Sequence, residues 1–308
     1  MTEVRTTPST PTGPSGPNGP PIVVGVGPEE IGSALEFAAQ EALGVGCGLH
    51  LVHAVHVVPA GPETMLLRTA DVEAWGREVL SLAVRSADDL VEGAVPVTHE
   101  LRRGTPIQVL VEAGGNARMV VLEHRHLSRL ARIVNRTVAG GVAARVRAPV
   151  VAVPSGWTRP AGTPVVVAAV DVAERSAEVL SAASAEARAR GADLRVVHAW
   201  SLPVHYEGVV VEAEEQRRWT DRSRAELRAA LDALGEESAA ADVVVHPGRP
   251  IEAILEASQG AQLLVIGRHD PLVPVGSHIG PVARAVLREA TCPVLLASPH
   301  ARQAAHHA

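Results

Sequence analysis

Short aliphatic runs alternate with amphipathic stretches along most of the chain, the signature of buried strands between helices. Ile22–Val26 reads as a strand and Ser33–Leu43 as a helix, with Leu35, Ala38, Ala39 and Ala42 turned inward. Leu49–Val58 is a second strand and residues 63–90 a long helix. Val95–Leu101 is a third strand. Gly104-Thr105-Pro106 then opens a helix with Ile107, Leu110 and Val111 in its stripe. The run from Arg118 to Pro154 supplies a fourth strand, a helix and a fifth strand.

The pattern then begins again. Val165–Val170 is a strand ended by Asp171, and Ser176–Arg190 a helix closed by Gly191. Leu194–Trp200, Glu212–Leu234 and Val243–His246 follow as strand, long helix and strand. Gly248-Arg249-Pro250 starts a helix with Ile251, Ile254 and Leu255 in its stripe. Leu263–Ile266, a helix opened by Gly280 and Pro281, and Pro293–Ala297 complete the copy, with Val282, Ala285 and Val286 expected on one face of that helix. Pro149 and Pro293, Gly104 and Gly248, and Gly27 and Asp171 each stand 144 residues apart, so the spacing predicts one domain written twice at a fixed offset.

Strands alternating with helices predict an α/β fold of two tandem, doubly wound parallel sheets of five strands each. The expected order is 3-2-1-4-5, with a ligand crevice between strands one and four, where Asp171 and Gly267 should meet. The expected division is a disordered tail over residues 1–20, domains over 21–154 and 165–298, a linker over 155–164, and a second tail over 299–308.

Composition narrows the class. Aromatics are only 2% of the 308 residues against 46% hydrophobic, so the core must be aliphatic. A net charge of −6 argues against nucleic acid as a partner. No run is long enough to span a membrane, and the Pro/Gly/Ser/Thr-rich start lacks the apolar segment of a signal peptide. Cys47 and Cys292 stand at non-equivalent places and form no disulfide framework, which fits a reducing cytoplasm. Of fourteen histidines, His50 and His53 alternate across a strand, as do His53 and His56; His50 and His56 share a face but lie roughly 20 Å apart. No metal site is expected. No P-loop, no G-x-S-x-G and no nucleophile–base pair occurs.

The stretch from Gln262 to Ser298 carries the strongest motif. Gly267, position 270, Gly280 and position 281 follow the spacing glycine, two residues, glycine, nine residues, glycine, then Ser or Thr. With the tandem repeat, this resembles the universal stress protein family, in its tandem actinobacterial form, over about residues 21–298. The resemblance implies an adenine-nucleotide-hydrolase-like sheet and a non-catalytic stress-response role. It also implies pairing of the last strands, here Val150–Val153 with Val294–Ala297, as an intrachain pseudo-dimer that is free to dimerise again.

Carried over position by position, the resemblance implies that Asp171, Ala199, Ile266, Gly267, Asp270, Gly280, Pro281 and Val282 line a site for ATP or another adenine nucleotide, with or without Mg²⁺. Two positions depart from the motif. Asp270 replaces a glycine, and Pro281 replaces the hydroxyl residue and lacks an N–H. In the first copy, Gly27 replaces the acid, and Glu123, His126 and Arg136 replace all three glycines. Thr137 alone survives there, and no nucleotide is expected. Arg125, Arg129, Arg132 and Arg136 make that loop basic: a docking surface for an unidentified protein partner, or a solvated loop. His53 and His198 stand near matching strand ends. The readings left open are a nucleotide-binding regulator, a purely structural or interaction module, and a slow hydrolase.

Overall fold

The architecture is that of a computed structural model, which describes residues 19–28, 31–55, 69–124, 138–171, 176–200, 212–268 and 279–297. The first half runs β1 (Ile22–Val26), α1 (Gly32–Val45), β2 (Leu49–Val55), α2 (Thr69–Val91), β3 (Val97–Arg103), α3 (Pro106–Ala113), β4 (Met119–His124), α4 (Val138–Ala143) and β5 (Val150–Pro154). The second runs β6 (Val165–Val170), α5 (Ala177–Arg190), β7 (Asp193–Trp200), α6 (Ala213–Asp232), α7 (Glu236–Ala239), β8 (Asp242–Pro247), α8 (Pro250–Ala257), β9 (Leu263–Gly267), α9 (Pro281–Glu289) and β10 (Val294–Ala297). The short α7 and a 3₁₀ turn at Gly114–Asn116 were not in the pattern. The third strand starts two residues later than predicted, just after Pro96, which has no N–H for a ladder. The predicted strand positions 56–58 and both tails, apart from residues 19 and 20, lie outside the described residues.

The strand order is β3-β2-β1-β4-β5-β10-β9-β6-β7-β8. Each half has the expected 3-2-1-4-5 order, and the expected pairing of the two last strands fuses the five-stranded sheets into one sheet of ten. The junction is antiparallel: Val294 faces Ala152, Leu295 faces Val151 and Leu296 faces Val150. All other pairs are parallel.

Alternation along the strands sorts side chains into two layers. Ile22, Val24 and Val26 of β1, with Val151 and Val153 of β5, face a core built with α1, α2, α5 and α6. Val23, Val150 and Ala152 face the opposite core with α3, α4, α8 and α9. Both cores cross the β5–β10 junction, through Leu295 and Ala297 on one face and Val294 and Leu296 on the other. The predicted inward residues of α1 are all buried. In α9 the buried set is Ala283, Ala285, Val286 and Leu287; Val282 is half-buried and packs at the margin of the core. In α3 and α8, Leu110 and Ile254 are buried, whereas Ile107, Val111 and Leu255 lie half-buried against the same core.

The copies agree in fine detail. Gly104 and Gly248 have φ of 144° and 138°, a region L side chains rarely adopt. Each donates its N–H over 3.0 Å to the end of the second strand of its half, to Val55 and Trp200 respectively. The offset, however, is not fixed. Ile22 pairs with Leu49, whereas Val166 pairs with Leu194, so α5 and β7 run one residue behind α1 and β2. The slip is recovered by the third strand, where Leu49 faces Val97 and Arg195 faces Asp242.

Arg268, just past β9, clasps the junction. Its Nη1 donates to Val146 O and its Nη2 to Ala148 O, each at 2.7 Å, and Nη2 also reaches Leu296 O at 3.3 Å. Burial lowers its pKa to about 10, so it stays charged at neutral pH. Replacing Arg268 by Met should leave these carbonyls without their donor. The expected loss is about 2–4 kcal/mol in chemical denaturation, against under about 1 kcal/mol for the exposed Arg249→Met.

Candidate functional site

Apart from Asp270, the predicted site residues gather at the carboxyl edge of β6, β7 and β9. Ala169 faces Ile266 across the β6–β9 ladder, so the register brings Val170 abreast of Gly267 and places Asp171 at the adjoining edge. Asp171 is exposed, Ile266 buried, and Gly267 and Ala199 half-buried. Gly280 is the N-cap of α9, with φ −63° and ψ 164°, and Pro281 is its first residue. The crossover from β9 to the parallel β10 returns the start of α9 to this same edge. The N–H groups of Val282 and Ala283 belong to the first turn, where a helix has no partner of its own for them, and the dipole adds positive potential. Position 281 adds no donor, as expected for Pro. Asp270, His126, Arg136, Thr137 and the basic cluster of Arg125, Arg129 and Arg132 lie outside the described residues.

The two crevices differ at several matched positions, and one of them carries a hydrogen bond. In the first half this is Glu123, whose Oε2 accepts a hydrogen bond from the Ala34 N–H at 3.2 Å. Ala34 is in the first turn of α1, whose N-cap residue, Ile31, provides no side-chain cap. Glu123 is therefore a cap delivered from β4, an anion already seated where the helix dipole favours one. In the second half the matched residue is Gly267. A Cβ there would lie 3.2 Å from Val179 Cγ2, and Val179 is the one-residue-slipped counterpart of Ala34. The glycine therefore has a packing reason of its own, the close approach of α5. At Gly27, by contrast, a Cβ would meet nothing nearer than Ile31 Cγ2 at 3.9 Å. The acid missing from the first half is not excluded by space.

The strand-end histidines are held by backbone. His53 Nδ1 lies 2.8 Å from Val26 O and His198 Nδ1 lies 3.2 Å from Val170 O. A carbonyl only accepts, so Nδ1 carries the proton in both. His50 Nδ1 is 2.9 Å from Thr98 Oγ1, and its Nε2 is 3.5 Å from Glu100. Burial lowers its pKa against the opposing pull of Glu100. Among the described residues no group of three or more His, Cys, Asp or Glu is placed to hold a metal. Cys47 and Cys292 are free and buried; burial pushes Cys292 up to about 11. Among the described residues no helix is long and apolar enough to cross a membrane.

Two interactions escaped sequence reading. The Arg268 clasp has no local signal. The Glu123 cap had one, a carboxylate where the motif needs glycine, but only the fold shows which helix it reaches.

The model of the universal stress protein family matches this chain twice, over residues 20–154 and 163–298. Universal stress protein Rv1996 of Mycobacterium tuberculosis is 31% identical over 301 residues, covering 90% of this chain and 94% of the relative. Universal stress protein Rv2005c of the same organism is 32% identical over 291 residues, covering 90% and 96%. Among solved structures, a universal stress protein from Archaeoglobus fulgidus superposes with a TM-score of 0.60 at 16% identity, over 90% of this chain and 96% of that one. It shares the fold.

Replacing Glu123 by Ala should remove the cap of α1 and cost about 1 kcal/mol in thermal or chemical denaturation. Glu123→Gln, which keeps an acceptor oxygen, should recover most of that loss.

Proposed function

The chain belongs to the universal stress protein family, and from that premise we propose that its second half binds an adenine nucleotide while its first half does not. The protein then acts as a non-catalytic stress-response regulator. The observation that carries this reading is the contrast at the matched position. Glu123 places the protein's own carboxylate in the first crevice, bonded to the start of α1, whereas Gly267 brings no side chain to the second. Gly280 at the start of α9 and Asp171 at the strand edge beside β9 stand where the resemblance expects the site's glycine and acid, which supports the reading. Phosphates would lie on the first turn of α9, and Asp171 would face the ribose. Ala199 and Ile266 would flank the base. Asp270 either tightens the phosphate contact through Mg²⁺ or weakens it without the ion.

The regulation is a population shift in which the nucleotide favours one conformation of the protein and so changes the surface shown to a partner. A second reading, a protein-interaction module, draws support from α2. Trp75, Leu82 and Leu90 are 47%, 55% and 40% exposed along one side of it.

Native mass spectrometry with ATP, ADP and AMP, with and without Mg²⁺, should show one nucleotide per chain and no phosphate release. Gly280→Val should weaken binding about tenfold or more while the fold persists, because the φ and ψ of Gly280 suit any residue. Two nucleotides per chain would contradict the inert first half. None at millimolar ligand would leave the interaction module as the working reading.

A further inference from the structure

The two longest helices, α2 and α6, occupy matched places and show different faces to water. α2 lies over β2 and β3 beside α1, and α6 packs on β8, towards opposite ends of the ten-stranded sheet. Both carry tryptophan at the matched position, Trp75 and Trp219. From there they part. The exposed side of α6 is charged and satisfied within the helix: Glu214 pairs with Arg218, Arg222 with Glu226, and Asp221 with Arg224. α2 instead turns Trp75, Leu82 and Leu90 to solvent. The counterpart of Leu82 in α6 is the ion-paired Glu226.

The apolar stripe on α2 is firmly seated. Trp75 leans edge-on against His53, with ring centroids 6.1 Å apart, and His53 is itself held by Val26 O. At Gly76 the helix comes so close to β2 that a Cβ would lie 2.9 Å from Val55 Cγ2. An exposed indole held in place loses little freedom when covered, which makes it an anchor for a partner. Leu82 stands two helical turns beyond Trp75, and Leu90 a little over two turns beyond Leu82, so the three share one side of α2. Val79, half-buried, fills the step between the first two.

This stripe complements itself when two copies of α2 lie antiparallel. A twofold axis at Leu82 puts the two Leu82 side chains together. It also brings Trp75 of each copy against Leu90 of the other, because the midpoint of 75 and 90 falls within one residue of 82. Glu78 and Arg85 flank the stripe on one side, both exposed, and their midpoint falls within one residue of 82 as well. The same axis therefore sets Glu78 of each copy against Arg85 of the other. Arg85 is available for that pairing: its hydrogen bond among the described residues is to the hydroxyl of Ser81, one turn back in the same helix, at 3.2 Å. Asp89 comes beside Trp75 rather than opposite another acid. A parallel pair would oppose like charges at both positions.

We propose that α2 is the interface for a second copy of this chain, docked antiparallel, helix to helix, about Leu82. The internal pseudo-dimer then pairs again through its first half, and the assembly holds four domains. One helix pair makes a small interface, so association in the micromolar range is expected. The proposal is independent of nucleotide binding, since α2 packs in the first half and the proposed nucleotide site lies in the second.

The test is sedimentation equilibrium of the full chain from low micromolar to several hundred micromolar protein. A monomer–dimer equilibrium is expected. Leu82→Glu, at an exposed position, should weaken it at least about tenfold with an unchanged circular dichroism spectrum. Glu78→Arg and Arg85→Glu should each weaken it about fivefold or more, and the double variant carrying both changes should restore the original constant. Gly280→Val should leave association unchanged. A monomer throughout the range, a dimer that survives Leu82→Glu, or single charge variants that the double variant does not rescue would each overturn the proposal.

Discussion

The antiparallel pairing of β5 with β10 is the constraint on which the rest depends. Without it, each half would end in an exposed strand edge, with aliphatic residues on both faces and unpaired N–H and C=O groups. Joining the two edges removes both liabilities and lets each apolar layer run through the molecule without a break. The ladder is short, three residue pairs. Arg268 reinforces it from the side, spending its guanidinium on carbonyls of the first half and of β10. The cost of burying that charge is offset by three acceptors held in fixed geometry.

Pairing two copies within one chain frees each to diverge. The first half exchanged the flexible backbone of the motif for Glu123, and the carboxylate serves as a structural cap. The second half has Gly267 and Gly280 at the matched positions, and Gly267 lets α5 approach closely. One matched position thus serves stability in the first half and brings no side chain to the crevice in the second. The seam between the halves shows the same logic at a different place. Glu41 and Arg190 come from different copies and meet only because the copies are paired, and Trp157 belongs to neither repeat.

Much of the fold was legible because periodicity reports burial directly. The aliphatic runs named the strands to within a few residues, and the doubled pattern predicted the doubled topology. Helix faces were read less well. In α9 the expected stripe included Val282, but the helix lies with Ala283 and Leu287 against the core, and Val282 sits at the margin. A nine-residue helix offers too few turns for its sequence to fix its rotation; the sheet beneath decides it. The one-residue slip in α5 and β7 was likewise hidden, since the constant offset of Gly27 to Asp171 and of Gly104 to Gly248 on either side says nothing of a shift that is later recovered.

The sequence by itself determined the class of fold, the strand order, the family and the positions where a nucleotide motif survives or is lost. These depend on local patterns and on fixed spacings, which a linear chain carries intact. Only the tertiary structure decided the register of β5 against β10, that Glu123 caps α1 across 89 residues of chain, that Arg268 holds the junction, and that Trp157, Glu41 and Arg190 meet around a cavity. Each is a contact between distant residues whose partner is set by how two surfaces pack, and neither residue's own neighbourhood in sequence records it.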